Sequence, residues 1–207
     1  MMRRNMTKTA FLTAGTLLCA ACAAFFTPGC GAGGPEVGPF RYEFTATSGT
    51  LLRGLFLPKE ALDLRVTRDF CDMPSEDEVQ SHLTEVSGFD VSRLVRISRL
   101  ELVEMVVTAT SGSFDVVTQM SVYYLPAGDP AGEVLLGTAS SPTGFGDTIV
   151  LVPSERVDFL ELIQENDAYT GSECPKLRIE MAFDGLPSID IAYQVDVVLD
   201  AYAQLSF

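Results

Sequence analysis

The chain has 207 residues, with 28 acidic side chains against 14 basic ones, a formal charge of −14 and a single histidine. That balance argues against nucleic acid as a partner, because such affinity comes largely from Lys and Arg neutralising phosphates, and against adsorption to anionic lipid head groups. Hydrophobic residues make up 47% of the chain, enough for one domain with a sizeable core.

Residues 1–30 read as an export signal. Arg3, Arg4 and Lys8 form a basic leader, an apolar run extends from Ala10 to Phe26, and the segment closes on Thr27-Pro28-Gly29-Cys30. A basic start, an apolar middle and a small residue before the cut are the parts of a secretory signal. The run sits at the short end of the roughly 17–25 residues that span a bilayer, and it ends in Pro-Gly, so a processed signal fits better than a retained anchor. The cysteine directly after Gly29 and the tract Gly31-Ala32-Gly33-Gly34 make the segment resemble a bacterial lipoprotein signal. That resemblance implies lipidation at Cys30 and a domain held outside the cytoplasm in the cell envelope, on the outer membrane by preference. Cys22, preceded by Ala20-Ala21, is the alternative lipidation site, but it leaves Phe25 and Phe26 in the linker. Arg3 to Lys8 loosely resembles a twin-arginine signal, with Met6 in place of the usual Phe. The leader holds three of the basic residues and none of the acidic ones, so the remainder is more acidic than the whole.

Of the five cysteines, Cys19 and Cys22 leave with the signal and Cys30 takes the lipid. Cys71 and Cys174 remain. An even remainder in an oxidising compartment points to one disulfide between them, two buried free thiols being the alternative.

Gly31–Pro39, rich in Gly and Pro, reads as a flexible tether ahead of a domain over residues 40–207. Phe40, Tyr42, Phe44 and Ala46 then alternate with Arg41, Glu43 and Thr45, the period of a half-buried strand. Leu51–Leu57 and Leu62–Val66 predict further strands, interrupted at Pro58. Ser75 and Glu78 form a capping box that opens a helix over Ser75–Val86, with Val79, Leu83 and Val86 on its apolar stripe and Gly88 at its end. Leu94–Thr108 is dense in aliphatic residues, but its phase slips between Leu100/Leu102 and Val103/Met105/Val107. A β-bulge or a strand buried on both faces explains such a slip.

Ser111-Gly112-Ser113 predicts a hairpin turn. The next strand places Phe114, Val116, Met120, Val122 and Tyr124 on one face, and Val134–Gly137 and Ile149–Val152 predict two more. Ser154 reads as the N-cap of a second helix to about Glu165, with Phe159, Leu160 and Ile163 buried. From Leu177 to Phe183 and from Ile189 to Phe207, apolar residues hold every odd position. The turn Asp184–Ser188 between them predicts an antiparallel hairpin. Its second strand exceeds the roughly three to ten residues usual for a strand, so a bend or a crossing between sheets is expected.

About seven to nine strands separated by turns predict an all-β fold, an antiparallel immunoglobulin-like β-sandwich with two short helices in its connections. The order of elements is a helix, a Val/Leu strand, a Phe114-Asp115 strand, a Glu133–Leu136 strand, a short helix and a terminal hairpin. It resembles uncharacterised immunoglobulin-like lipoproteins of Gram-negative bacteria, over roughly Ser75 to Ala203. The resemblance implies a sandwich and a cell-envelope setting and assigns no activity.

No residue pattern carries catalysis. His82, the only histidine, sits beside the helix stripe and suits a partly buried structural role. There is no Gly-x-Ser-x-Gly elbow, and the cysteines lack zinc spacing. Asp69, Asp72, Glu76, Asp77 and Glu78 cluster around Cys71; calcium takes such oxygens, but a solvated helix start explains them more simply. Paired carboxylates for glycoside hydrolysis are defined by a separation in space. Tyr123, Tyr124, Tyr193 and Tyr202 are candidates for a sugar platform, and Gly144-Phe145-Gly146 is too short for a phosphate loop. The expectation is therefore no catalytic residue, no metal and no cofactor. The reading is a non-enzymatic envelope lipoprotein, tied to a membrane by its lipid anchor, that binds or supports an unidentified envelope protein or ligand. The alternative is a carboxylate-based hydrolase on a sandwich scaffold.

Overall fold

The computed structural model describes residues 36–51, 63–87, 95–129, 132–168 and 171–205. Their elements, in chain order, are β1 (Glu36–Leu51), β2 (Asp63–Asp69), α1 (Glu76–Ser87), β3 (Val95–Ser111), β4 (Val117–Leu125), β5 (Val134–Ser140), β6 (Thr148–Leu151), α2 (Phe159–Ala168), β7 (Lys176–Phe183) and β8 (Ile191–Leu205). The leader, the segment containing Pro58, and Gly88 lie outside the described residues.

The strands form two antiparallel four-stranded sheets, β1-β8-β3-β6 and β2-β7-β4-β5. The sandwich expected from the alternation is present, with both helices in connections. Its connectivity is that of a jelly roll: every consecutive pair of strands except β4–β5 lies in opposite sheets. An immunoglobulin sandwich instead divides its strands as A-B-E-D and C-F-G. Two expected hairpins are corrected by this order. β7 pairs with β2 and β4, and β8 pairs with β1 and β3, so the Asp184–Ser188 segment is an arch between sheets. Ser111-Gly112-Ser113 likewise carries the chain from β3 in one sheet to β4 in the other. An arch sets two apolar faces against each other across the core, where a hairpin would set them side by side.

The inward faces are those the alternation specifies. Leu177, Ile179, Met181 and Phe183 of β7 are buried, as are Ile191, Tyr193, Val195, Val197, Leu199, Ala201 and Ala203 of β8. Ile189, before β8 begins, is 55% exposed. β8 neither bends into nor crosses to the second sheet; its neighbours adjust instead. β3 shifts register against it between Ile97 and Arg99, between Leu102 and Glu104, and between Ala109 and Ser111. The extra residues Ser98 and Val103 explain the slipped phase: Ile97, Leu100, Leu102, Met105 and Val107 all end up buried. A similar shift in β4 between Val117 and Gln119 buries Val117 in place of Val116.

β1 begins at Glu36, inside the expected tether. Glu36 and Val37 pair with Gln204 and Ala203, because β8 runs far enough to offer them a ladder. Phe40, Tyr42 and Phe44 pack against the core, and Ala46 is within it. Along this pairing Glu36 lies beside Gln204 and Val95 beside Leu205, whereas Leu51 lies beside Ile191 and Ser111 beside Ala192. These define a proximal pole, where the described chain begins, and a distal pole. The distal connections are tied together by Phe114 N–H to Gly146 O (2.6 Å), Phe145 N–H to Phe114 O (3.1 Å) and Asp184 N–H to Val116 O (3.0 Å).

The capping box of α1 is formed. Glu78 Oε2 accepts from Ser75 N–H at 2.8 Å, and Ser75 Oγ accepts from Glu78 N–H at 3.3 Å. Val79 and Leu83 are buried, but Val86 is 56% exposed, so the stripe ends after two residues. α2 starts later than expected, and its cap is Asp158 instead of Ser154: Asp158 Oδ1 accepts from Leu160 N–H at 3.1 Å. The residues before it are held by β3, since Leu102 N–H donates to Val157 O at 3.0 Å and Asp158 bridges Glu101. On the β5–β6 side the sheets touch through a Thr138–Val152 bridge. Gly137 permits that approach, because a Cβ there would lie 3.1 Å from Leu151 Cβ.

Cys71 and Cys174 form the expected disulfide, with Cα atoms 5.0 Å apart across a sequence separation of 103. It joins the residues just after β2 to those just before β7, next to a Phe70 N–H to Pro175 O bond of 2.8 Å.

Candidate functional site

The alternation that turns the odd residues of β7 inward turns Arg178, Glu180 and Ala182 outward. Pairing aligns them across the second sheet in three rows: Asp63–Ala182–Gln119, Arg65–Glu180–Ser121 and Thr67–Arg178–Tyr123. Charge holds the rows in place. Arg65 Nη2 meets Glu180 Oε1 at 2.6 Å, and Arg178 Nε meets the same oxygen at 3.1 Å. Arg178 Nη1 also donates to Glu133 Oε2 at 2.6 Å, and its guanidinium lies 4.4 Å from the centroid of the Tyr123 ring. The hydrogen bond from Arg178 holds the Glu133 carboxyl below its usual range, and the same bond raises Arg178. Arg178 is only 15% exposed, so this is a networked ion cluster with restrained geometry and not an isolated surface pair.

Ala182 and Ser121 are short side chains amid these longer ones. They leave an open hollow of about 450 Å³, walled by Asp63, Arg65, Gln119, Tyr123 and Glu180. Ser121 is 8% exposed, and its hydroxyl lies 3.1 Å from Thr138 Oγ1. Thr138 Oγ1 donates its proton to Met120 O at 3.2 Å. With the Thr138 proton given to Met120 O, the Ser121 hydroxyl donates to Thr138 and its Oγ keeps acceptor capacity.

The outer face of the first sheet carries a ladder of ion pairs. Arg41 meets Glu43 and Glu104, each at 3.0 Å. Arg99 meets Glu36 and Glu101 at 3.4 Å and stacks 3.8 Å from the Tyr202 ring centroid. A groove of about 900 Å³ runs between α2 and the β4–β5 connection, lined by Glu155, Glu161 and Glu165 among other carboxylates. Two further carboxylates in it are engaged, Glu133 by Arg178 and Asp158 by the α2 cap. At the distal pole, Leu186 and Ile189, 53% and 55% exposed, border a hollow of about 510 Å³.

Cys30 and Cys22 lie outside the described residues. His82 is half-buried, edge-on to Tyr42 with ring centroids 5.0 Å apart, and its Nε2 is 3.4 Å from the main-chain oxygen of Arg41. It thereby links α1 to β1, the edge strand of its sheet. Among the described residues, no group of three or more His, Cys, Asp or Glu is arranged to hold a metal ion. The acidic residues around Cys71 include Glu78, whose carboxyl is lowered by the bonds from Ser75. The four tyrosines do not assemble: Tyr124 and Tyr193 are buried in opposite sheets, and the other two lie under arginines on opposite outer faces. Gly144-Phe145-Gly146 is a packing device. Both glycines have positive φ, and a Cβ at Gly144 would collide with the main chain of Asp115. Among the described residues no helix is long and apolar enough to cross a membrane.

Sequence reasoning missed the outward cluster on the second sheet. The strands were legible from their apolar residues, while Arg65, Gln119, Ser121, Arg178 and Glu180 read as ordinary solvated positions. Only the strand order brings them into adjacent rows.

No protein-family model and no curated protein sequence matches the chain. Among solved structures, turnip yellow mosaic virus is similar at 16% identity and a TM-score of 0.31, with 99% of this chain and 90% of that one covered. Desmodium yellow mottle tymovirus is similar at 14% identity and a TM-score of 0.30, covering 88% of this chain and 94% of that one. The BFDV capsid protein is similar at 14% identity and a TM-score of 0.23, covering 83% and 98%. Likeness at this level assigns no function.

Proposed function

We propose that the chain is a lipid-anchored protein of a bacterial cell envelope whose jelly-roll domain acts as a non-enzymatic binding or structural module. The observation that carries this reading is the Cys71–Cys174 disulfide. It unites the two cysteines that remain once Cys19, Cys22 and Cys30 are assigned to the leader, and such bridges persist in oxidising compartments. The leader supplies the route there, and Cys30 the anchor. Glu36, six residues after Cys30, starts β1 at the proximal pole of the domain.

Fractionation of cells carrying the wild-type chain or Cys30→Ser tests the anchor. The wild type is expected with membranes and the variant in soluble fractions, with a diacylglyceryl group on the N-terminal cysteine by mass spectrometry. An unmodified peptide spanning Phe26–Gly34 in the mature protein defeats the reading. A lipid on Cys22 moves the anchor without removing it.

The groove beside α2 supports the second reading, a carboxylate-based hydrolase, because Glu155, Glu161 and Glu165 line it together. Turnover of chromogenic glycosides, abolished by Glu161→Gln or Glu165→Gln with folding intact, is the outcome that reading requires.

A further inference from the structure

We propose that the hollow on the outer face of the second sheet binds a neutral carbohydrate chain. The proposal deepens the binding-module reading by naming a ligand class for one of its faces. Size is the first argument. A hollow of about 450 Å³ falls within the roughly 300–1,000 Å³ of small-molecule sites, and its open side accepts a linear chain crossing the strands.

Charge is the second. The chain as a whole carries −14, a field that disfavours anionic ligands. Within the hollow the Arg65 charge is met by Glu180, and that of the adjoining Arg178 by Glu133, which leaves the Asp63 carboxylate as the one unmatched charge among the described residues there. A set so largely paired within itself offers hydrogen-bonding groups more than net charge, which matches a neutral ligand rich in hydroxyls, and the spermine arm below tests the pull of Asp63.

Chemistry is the third. The Gln119 amide supplies both donors and an acceptor, Ser121 Oγ an acceptor, and Asp63 acceptors, a combination that suits vicinal hydroxyls. Charged groups make the stronger of these bonds. Arg65 and Glu180 face each other at 2.6 Å across the hollow, which places a donor group and an acceptor group side by side for adjacent hydroxyls. The Ala182 methyl gives the floor a small apolar contact for a sugar C–H face. Register also favours access. Asp63, Ala182 and Gln119 lie at the distal ends of β2, β7 and β4, away from the pole where the described chain begins.

Isothermal titration of the full-length chain in neutral detergent tests the proposal, with chitotetraose and maltotetraose as neutral probes and spermine as the cationic one. At least one tetrasaccharide is expected to bind saturably at one site, with an affinity little changed by salt. Gln119→Ala, an exposed substitution, is expected to weaken it about tenfold or more. Ala182→Gln fills the floor at constant charge and is expected to abolish it. Unfolding temperatures measured alongside separate lost binding from lost folding, and Asp63→Asn replaces any variant that fails to fold. Absence of binding by both tetrasaccharides overturns the proposal. So does sugar binding that survives Gln119→Ala and Ala182→Gln, or binding of spermine alone. Failure here leaves the anchored-protein reading standing, because that reading is decided by the fractionation of Cys30→Ser.

Discussion

The carboxylate of Asp158 accepts a hydrogen bond from the main-chain N–H of Leu100 at 3.0 Å. β6 pairs with β3 only from Met105 to Thr108, which leaves the earlier part of β3 without a strand on that side. Asp158 and Val157 stand in for it, the first through Leu100 and the second through Leu102. The same carboxylate oxygen caps α2, so one side chain joins the helix start to a sheet edge.

Asp158→Ala removes a helix cap and leaves a part-buried N–H unpaired. The expected loss is about 2–4 kcal/mol, taking about 1 for the cap and about 1–3 for the orphaned donor. Asp158→Asn keeps an acceptor oxygen and is expected to cost well under half of that. Urea unfolding of the two variants checks the ranking; equal losses would show that charge, and not the acceptor, holds the junction.

Val195 is fully buried, and its neighbour Asp196 lies on the opposite face of β8. Val195→Asp places an unpaired carboxylate in the core and is expected to prevent folding or to cost several kcal/mol. Asp196→Ser loses an exposed contact with Thr45 (2.7 Å) and a part-buried one with Gln194 (2.8 Å) and is expected to shift the unfolding temperature only slightly. A reversed ranking in thermal unfolding would contradict the face assignment of β8.

The faces of the strands were legible because alternation fixes them residue by residue: every inward position of β7 and β8 follows from the sequence. The slip in Leu94–Thr108 signalled bulges, although only pairing with β8 located them at Ser98 and Val103. Partner choice was not legible. Asp184–Ser188 has the composition of a hairpin turn, yet burial of two apolar faces against each other makes it an arch. Caps depend on which oxygen reaches which N–H, so Ser75 was readable from its capping box, whereas Asp158 was hidden by the more conventional Ser154. The hollow on the second sheet was invisible for the same reason as the arch, since its rows exist only once β2, β7 and β4 are neighbours.

The disulfide spans 103 positions, and the chain-entropy account assigns a loop of that length about 4–5 kcal/mol, with measured bridges commonly lower. The double variant Cys71→Ser/Cys174→Ser is expected to lose about 2–5 kcal/mol and to unfold identically with and without reductant. The wild type is expected to be destabilised by reductant toward the variant. Free thiols found by alkylation of protein purified without reductant would remove the bridge.

Tyr124 is fully buried, and its hydroxyl has no hydrogen-bond partner among the described residues. Burial, with a smaller contribution from the Glu165 charge, pushes its ionisation up from 10.0 to about 12. The direction sets the linkage. The folded state favours the neutral phenol, so the stability contributed by Tyr124 is fully present below pH 10.0 and is lost as pH rises toward about 12. Tyr124→Phe keeps the ring in the core and removes a hydroxyl whose desolvation no bond offsets. At neutral pH it is expected to leave stability unchanged or to raise it by about 1 kcal/mol. At alkaline pH it is expected to flatten the decline, although Tyr42 and Tyr202, also raised mainly by burial, keep part of it. Thermal unfolding of wild type and variant at neutral and alkaline pH tests both statements. A loss beyond about 1 kcal/mol at neutral pH would mean that the hydroxyl is bonded in solution, and parallel alkaline declines would assign the titration to another group.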